Sequence, residues 1–483
     1  MRVPPIDCDP RASTGERSAR ARVPRGRPGS AVLVGGGVVN LVTALKLVDH
    51  GFTVELFDRA PDPRLDRPWH EYGCTRGGGN ARMFTVTEAD QYSGMVLPDG
   101  EGTVFDAPPT GFGWDVRRES VRSVHDREWI REYEDLPWWL ADRYETGIHD
   151  LNRSAEQGWE RLFEAHPVLA GGTHLRRGIL RVYSTAESHQ RAVSRHDWVG
   201  DRLETYTEAE VRDRFPMFAH AGKGRLAGGI KVRGFTLDIH RFVALALDVL
   251  QARGAGLHFD SEVTGVDLGG GGTIEGVRIG SESVSARHLV ISPGAYGNRL
   301  LAELGLGGRV AGVLGIWHTL PDLTGQQHSV KVSRPGRIAE DANITLGTAG
   351  GRPSLVVGSG YGFAGTSADN VDPDRVRVIQ RSVDEMMRTL LPDAYEAAGG
   401  PAWLAHDPVF CVRPWTTTGL GVFDVRATAT GRCVVTGGHN TGGFAQAPEV
   451  ADAVLASLLG EDHPMHHLYA VARSRGSGHP SLR

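Results

Sequence analysis

Hydrophobic and polar residues alternate with several different rhythms along this chain, and the clearest comes first. Ala31-Val32-Leu33-Val34 is a continuous apolar run that stops at Gly35-Gly36-Gly37. A short apolar run ended by a turn signal predicts a strand. Apolar residues then recur at helical spacing over 41–50, which predicts an amphipathic helix. Val54-Glu55-Leu56-Phe57 predicts a second strand, ending at Asp58. From 93 to 140 the pattern is irregular, with Gly, Pro and the aromatics Phe105, Phe112, Trp114, Trp129, Trp138 and Trp139. Helical spacing returns over 150–166, 208–214, 239–253, 376–391 and 449–459. Strand patterns occupy 178–184, 257–259, 273–279, 288–292 and 433–436, and residues 310–357 alternate in strand fashion throughout.

The opening order of strand, glycine turn, helix, strand and acid builds a dinucleotide-binding unit. Gly35 permits a tight turn, and Gly37, lacking a Cβ, lets a pyrophosphate approach the backbone. The following helix, led by Val38 and Val39, offers free N–H groups and a partial positive charge to that phosphate. Asp58 falls about twenty residues later, where a carboxylate can accept from ribose hydroxyls. Asn40 departs from the pattern, because a third glycine usually lets helix and strand pack closely there.

Nucleotide-type segments occur at the start, in the middle and at the end, with antiparallel-looking segments between them. The pattern predicts an α/β (mixed α+β) fold, a Rossmann-like domain interleaved with a mostly antiparallel substrate-binding sheet domain. We assign 31–93, 220–300 and 405–462 to the nucleotide-binding domain, and 141–219 and 301–404 to the sheet domain. Residues 94–140 form a Trp-rich lid or a packed surface excursion, and 463–483 form a tail. Residues 1–30 have no hydrophobic stretch of the secretory kind, and we expect a disordered tail.

Composition narrows the classes. A length of 483 residues suits two connected domains, and a net charge of −5 leaves no nucleic-acid footprint. Arg greatly outnumbers Lys, which occurs only at 46, 223, 231 and 331, a bias that fits a GC-rich gene better than a phosphate-binding surface. Cys8, Cys74, Cys411 and Cys433 are scattered, with neither metal-ligand spacing nor a disulfide framework, so a reducing cytoplasm is expected. No apolar run reaches the ~18 residues of a membrane span.

Four motifs together resemble the D-amino-acid oxidase superfamily of FAD enzymes, in its glycine oxidase and sarcosine oxidase branch. They are Val34-Gly35-Gly36-Gly37-Val38-Val39-Asn40, the loop Gly79-Asn80-Ala81-Arg82, the strand end Ile291-Ser292-Pro293-Gly294-Ala295-Tyr296, and the run Gly438-His439-Asn440-Thr441-Gly442-Gly443-Phe444. The resemblance covers 31 to about 460, and it is specific to the superfamily rather than to a substrate. It implies FAD as cofactor, held by Gly35, Gly37, Val38, Val39, Asn40, Asp58 and Arg59, by the loop residues Gly79 to Arg82, by Val263 and Gly294, and by the glycine run. That run stands between a strand and a helix, which favours a second helix N-terminus facing the flavin over a flexible loop. No Gly-Asp motif of the FAD-dependent aromatic hydroxylases stands at a comparable strand end, so that class is disfavoured.

The resemblance also points to a substrate side. In Cys411-Val412-Arg413-Pro414-Trp415-Thr416, the Arg-Pro pair is similar to one that holds a substrate carboxylate, and a guanidinium can grip a carboxylate through two parallel hydrogen bonds. The alternative for Arg413 is a surface or phosphate-facing arginine. Cys411 is similar to the cysteine that carries a flavin thioether in sarcosine oxidases, yet Arg413 and Pro414 replace the Tyr-Thr of that stretch. Its alternative is a buried small hydrophobe. Three further sarcosine-oxidase features are replaced here by Thr85, Val356 and Ala445, which argues against sarcosine itself. His439 has a flavin-edge rather than a basic role on this reading, and His466 and His467 are exposed tail residues.

The implied activity is oxidation of a C–N bond in an amino acid or secondary amine bearing a carboxylate. Hydride would pass to flavin N5, water would hydrolyse the imine, and O2 would reoxidise the flavin. Alternatives are a 2-hydroxy-acid dehydrogenase of the same superfamily and a non-catalytic flavoprotein subunit.

Overall fold

The computed structural model describes residues 29–79, 82–88, 103–105, 107–109, 113–118, 123–333 and 342–473. Asn80, Ala81, Phe112, the tail 1–28 and the last residues, 474–483, lie outside the described residues.

Two large sheets organise the chain. The first has six strands in the order Val422–Ala427, Arg432–Gly437, His288–Ile291, Ser30–Val34, Thr53–Phe57 and Gly256–His258. It is parallel except at the Val422–Ala427 edge. The apolar run at its centre is continuous because both faces are covered. Ala31 and Leu33 enter a core made with the helices Val38–Asp49, Ile239–Ala252 and Gly443–Leu459. Val32 and Val34 enter a second core under the antiparallel strands Val263–Leu268 and Ile274–Ile279. Successive side chains of a strand point to opposite faces, so a sheet with two cores has no polar face to show.

The second sheet has nine strands and is mostly antiparallel. Its path is Val409–Trp415, Ala311–Pro321, Arg352–Gly365, Ala342–Ala349, Val330–Ser333, Arg176–Tyr183, Gly228–Thr236 and Met83–Thr85, with Arg202–Thr207 also pairing Gly228–Thr236. One face packs on the helix Pro373–Leu390 through Leu314, Ile316, Leu355, Val357 and Val412.

Three strands inside the segments 31–93, 220–300 and 405–462 pair in this second sheet rather than the first: Met83–Thr85, Gly228–Thr236 and Val409–Trp415. The alternation of a strand tells which face is buried, not which sheet it joins. For the same reason Ile274–Ile279, read from its pattern only as a strand, belongs to a separate three-stranded sheet.

The Trp-rich segment is less irregular than its sequence. It holds the capped helix Val124–Glu134, in which Ser123 and Asp126 cap each other's backbone. The next helix, Trp138–Ala165, begins well before residue 150, directly after Pro137. Phe105, Trp114, Trp129 and Tyr133 pack with Phe363 and Trp415 in one aromatic cluster. Residues after 462, expected as a tail, continue as the helix Pro464–Arg473, in which Met465 and Tyr469 are buried. His466 bonds Ser457 Oγ at 2.9 Å and the Ala453 carbonyl at 3.0 Å, so it is a packed helix residue rather than an exposed one.

Candidate functional site

The glycine turn is fixed by the acid at the end of the second strand. Asp58 Oδ2 accepts from Gly36 N at 2.5 Å, and Oδ1 accepts from Ala60 N at 2.7 Å and Thr75 Oγ1 at 3.1 Å. Burial pushes its carboxyl up, and these donors pull it back. Gly35 has φ +97°, and a Cβ there would stand 2.2 Å from the Ser292 carbonyl oxygen, so no other residue fits. Asn40 replaces the close packing of a third glycine with hydrogen bonds. Its Nδ2 donates to the carbonyls of Val34 at 3.2 Å and Gly35 at 2.7 Å, tying the helix to the strand end.

Beside this turn opens a cavity of about 920 Å³, counting the space open to solvent. Gly35, Gly37, Asp58, Arg59, Val263 and Gly294 all line it, so six residues singled out from four distant stretches meet there. Arg59 lies over the Tyr296 ring, 4.2 Å from its centroid, and the pair forms one wall. Val38, Val39 and Asn40 lie behind, in the helix itself.

A second cluster adjoins the cavity through Cys74 and Val412, which line it. The strand Val409–Trp415 runs through its centre. Trp415 bridges to His439, and Asn440, in the left-handed region at φ +50°, clamps the same strand. Its Oδ1 accepts from Thr416 N at 2.8 Å, and its N donates to the Pro414 carbonyl at 3.1 Å. The run then enters the helix Gly443–Leu459, capped at Gly442, with Phe444 buried in the first core. A Cβ on Gly443 would meet Val39 at 3.7 Å, so the starts of the two nucleotide-side helices stand together. Thr441 Oγ1 is buried with no partner among the described residues. His439 is buried between Tyr469 and Thr436, and burial pushes its imidazole down to about 4, which leaves it neutral near pH 7.

The loop before the second sheet holds Arg82 internally. Its guanidinium donates to Asp238 Oδ1 at 2.9 Å, the Gly79 carbonyl at 3.0 Å and His240 Nδ1 at 3.2 Å. Since Nδ1 accepts, His240 Nε2 carries the proton and donates to the Gly78 carbonyl at 2.9 Å. Burial pushes that imidazole down to about 3. Arg82 therefore cross-links the loop instead of projecting from it. Gly79 lies against Trp317, where a Cβ would fall 2.0 Å from the indole.

Arg413 and Cys411 share the face of their strand opposite Val412. Arg413 donates Nε to the Val313 carbonyl at 3.3 Å, and Nη2 to those of Leu314 at 3.1 Å and Gly360 at 2.8 Å. It also lies 4.8 Å from the centroid of the Tyr361 ring. The Nε side of the guanidinium is thus occupied by backbone, and Nη1 has no protein partner among the described residues.

A family model described as FAD dependent oxidoreductase (DAO) matches residues 30–457. The chain belongs to this family. Its fold is that of glycine oxidase from Geobacillus kaustophilus, at 16% identity and TM-score 0.60 over 91% of this chain and 96% of that one. Iminodiacetate oxidase from Chelativorans sp. BNC1 matches at 16% identity and TM-score 0.57, over 90% and 96%. L-alpha-glycerophosphate oxidase from Mycoplasma pneumoniae, solved with FAD bound, matches at 12% identity and TM-score 0.54, over 90% and 97%. FAD is accordingly the cofactor of this DAO-family chain, and oxidoreduction its activity.

The residues present fit that group. The backbone at Gly37 and at Gly294 borders open space, with nothing within 4 Å of where a Cβ would lie. Two helix starts stand together next to it, and an orphaned hydroxyl, Thr441 Oγ1, waits in the glycine run. Sequence reasoning missed Thr75, Tyr361, Trp317 and His240. The last three acquire their roles from partners far away in sequence, and none of the four stands in a motif. Tyr296 closes a motif already noted, yet nothing in the sequence pairs it with Arg59.

Proposed function

We propose that this FAD-dependent oxidoreductase oxidises the C–N bond of an amino acid or secondary amine that bears a carboxylate. The observation that carries the reading is the tethering of Arg413. Three backbone carbonyls and the Tyr361 ring fix its guanidinium, and the unpartnered Nη1 edge is left for an anion. A fixed guanidinium loses little freedom when it binds a carboxylate, which is what orientation of a small substrate requires. The names of the glycine and iminodiacetate oxidases describe carboxylate-bearing amines, which agrees with this choice.

FAD would lie against Gly35, Gly37, Asp58, Arg59, Val263 and Gly294, with the helix starts at Val38 and Gly443 and Thr441 completing its cradle. When bound it supplies the two-electron acceptor. Arg413 holds and orients the carboxylate, and neutral His439 keeps the glycine run packed without adding charge. O2 is the acceptor we assign to the reduced cofactor.

The test is anaerobic bleaching of the bound flavin by matched amino and 2-hydroxy acids. Bleaching by amines alone is expected. Bleaching by hydroxy acids alone makes the chain a hydroxy-acid dehydrogenase, and bleaching by neither makes it a non-catalytic flavoprotein. Acid precipitation should release the yellow colour to the supernatant, because the Cys411 sulfur lies against Cys74.

A further inference from the structure

Two cysteines that stand 337 positions apart in the chain meet beside the cofactor cavity. The Cys74 thiol donates to the carbonyl of Val412 at 3.1 Å, and it lies within hydrogen-bond reach of the Cys411 sulfur. Both pack in one small cluster with Trp69, Trp317 and Val356. Cys74 is half-buried and lines the cavity, whereas Cys411 is buried behind it. Both are free thiols in this structure.

We propose that Cys74 and Cys411 are a redox-active dithiol, a modification site that hydrogen peroxide converts to a disulfide joining the 73–79 loop to the strand of Arg413. The pair divides the chemistry. The neighbouring Cys74 sulfur, with help from the charge of Arg413, lowers the Cys411 thiol, while Cys74 moves up and stays protonated. The Cys411 thiolate attacks one peroxide oxygen, the O–O bond breaks, and hydroxide leaves to take up a proton as water. The resulting sulfenic acid is attacked by the Cys74 sulfur, its S–O bond breaks, and a second water leaves with the thiol proton. Two thiols lose two electrons in total, and one peroxide gains them. Cys433 offers a contrast within the same chain. It is buried without a sulfur partner among the described residues, burial pushes its thiol up to about 12, and it should stay reduced.

The disulfide would fix the loop carrying Gly77 to Gly79 to the strand carrying Arg413. The site stands on sulfur geometry, and its readout does not depend on the substrate class proposed above.

The holoenzyme is treated with a small molar excess of hydrogen peroxide, alkylated, digested without reductant and mapped by mass spectrometry. A Cys74–Cys411 peptide pair, lighter by two hydrogens than its parts and lost on reduction, is the expected result. In Cys74→Ser the link should vanish, and Cys411 should trap dimedone at least about tenfold more than in the parent, since no resolving thiol remains. Alkylation of both cysteines in the peroxide-treated parent, or equal dimedone labelling of parent and variant, overturns the proposal. If Cys74→Ser does not fold, the peptide map of the parent decides alone.

Discussion

The nucleotide turn and the arginine strand hold their key side chains by opposite means. At the turn, a carboxylate gathers donors: Asp58 accepts from Gly36, Ala60 and Thr75, all within a short stretch of chain. At the strand, a guanidinium is gathered by acceptors: Arg413 donates to carbonyls of Val313, Leu314 and Gly360, which two other strands of the sheet deliver. The first arrangement survives as long as one local unit folds. The second depends on register across a nine-stranded sheet, where a slip of one residue would turn Arg413 onto the helix-covered face.

The harshest way to break the comparison is at the turn. Gly35→Val places a side chain against the Ser292 carbonyl at a positive φ. We expect a loss of about 3 kcal/mol or more and a protein purified without FAD. Thermal unfolding and flavin absorbance measure both, and a yellow variant of parental stability would show that the turn does not shape the site.

Arg413→Ala should leave the fold and flavin in place and cost on the order of 3 kcal/mol in kcat/KM for the best carboxylate-bearing substrate. Arg413→Lys should recover only part, because an ammonium cannot hold three carbonyls and an anion in one plane. Parental turnover by Arg413→Ala at low substrate concentration would remove the arginine from substrate binding.

Asp58→Ala should weaken FAD retention by roughly 2 kcal/mol, since the donors of Gly36, Ala60 and Thr75 lose their acceptor. Titration of the apoprotein with FAD reads this directly. Asp58→Asn, which keeps one acceptor oxygen, should fall between the two.

The smallest effect sharpens the link between the regions. Glu449 lies in the helix that starts at the glycine run, and burial, with Asp452 beside it, raises its carboxyl to about 7. The folded value lies above the ordinary 4.5, so the folded protein prefers the protonated form. Its contribution is complete below about pH 4.5 and is lost as pH rises through 7. Glu449→Gln should therefore exceed the parent in stability at pH 8 by roughly 1–2 kcal/mol, allowing for partial solvent access, and match it at pH 4. A gap of the same size at both pH values would mean that packing rather than titration sets it.

The amino-acid sequence by itself determined the strand–turn–helix–strand unit from Ala31 to Asp58, because each of its requirements is local. An apolar run needs two covered faces, a glycine must stand where φ is positive, and an acid must close the second strand. It also disclosed the glycine run and the arginine strand as motifs, and the mixed architecture as an alternation of rhythms. Tertiary structure alone decided that Asn40 would bond two carbonyls in place of a third glycine, and that Arg82 would be consumed by Asp238 and His240. It alone moved Met83–Thr85, Gly228–Thr236 and Val409–Trp415 into the second sheet. The same is true of the tether on Arg413 and of the meeting of Cys74 with Cys411, whose sulfurs looked unrelated by spacing. Period-two alternation states which face of a strand is buried but carries no record of its neighbour. Contacts between strands remote in sequence are therefore set by sheet order and register, which exist only in the folded chain.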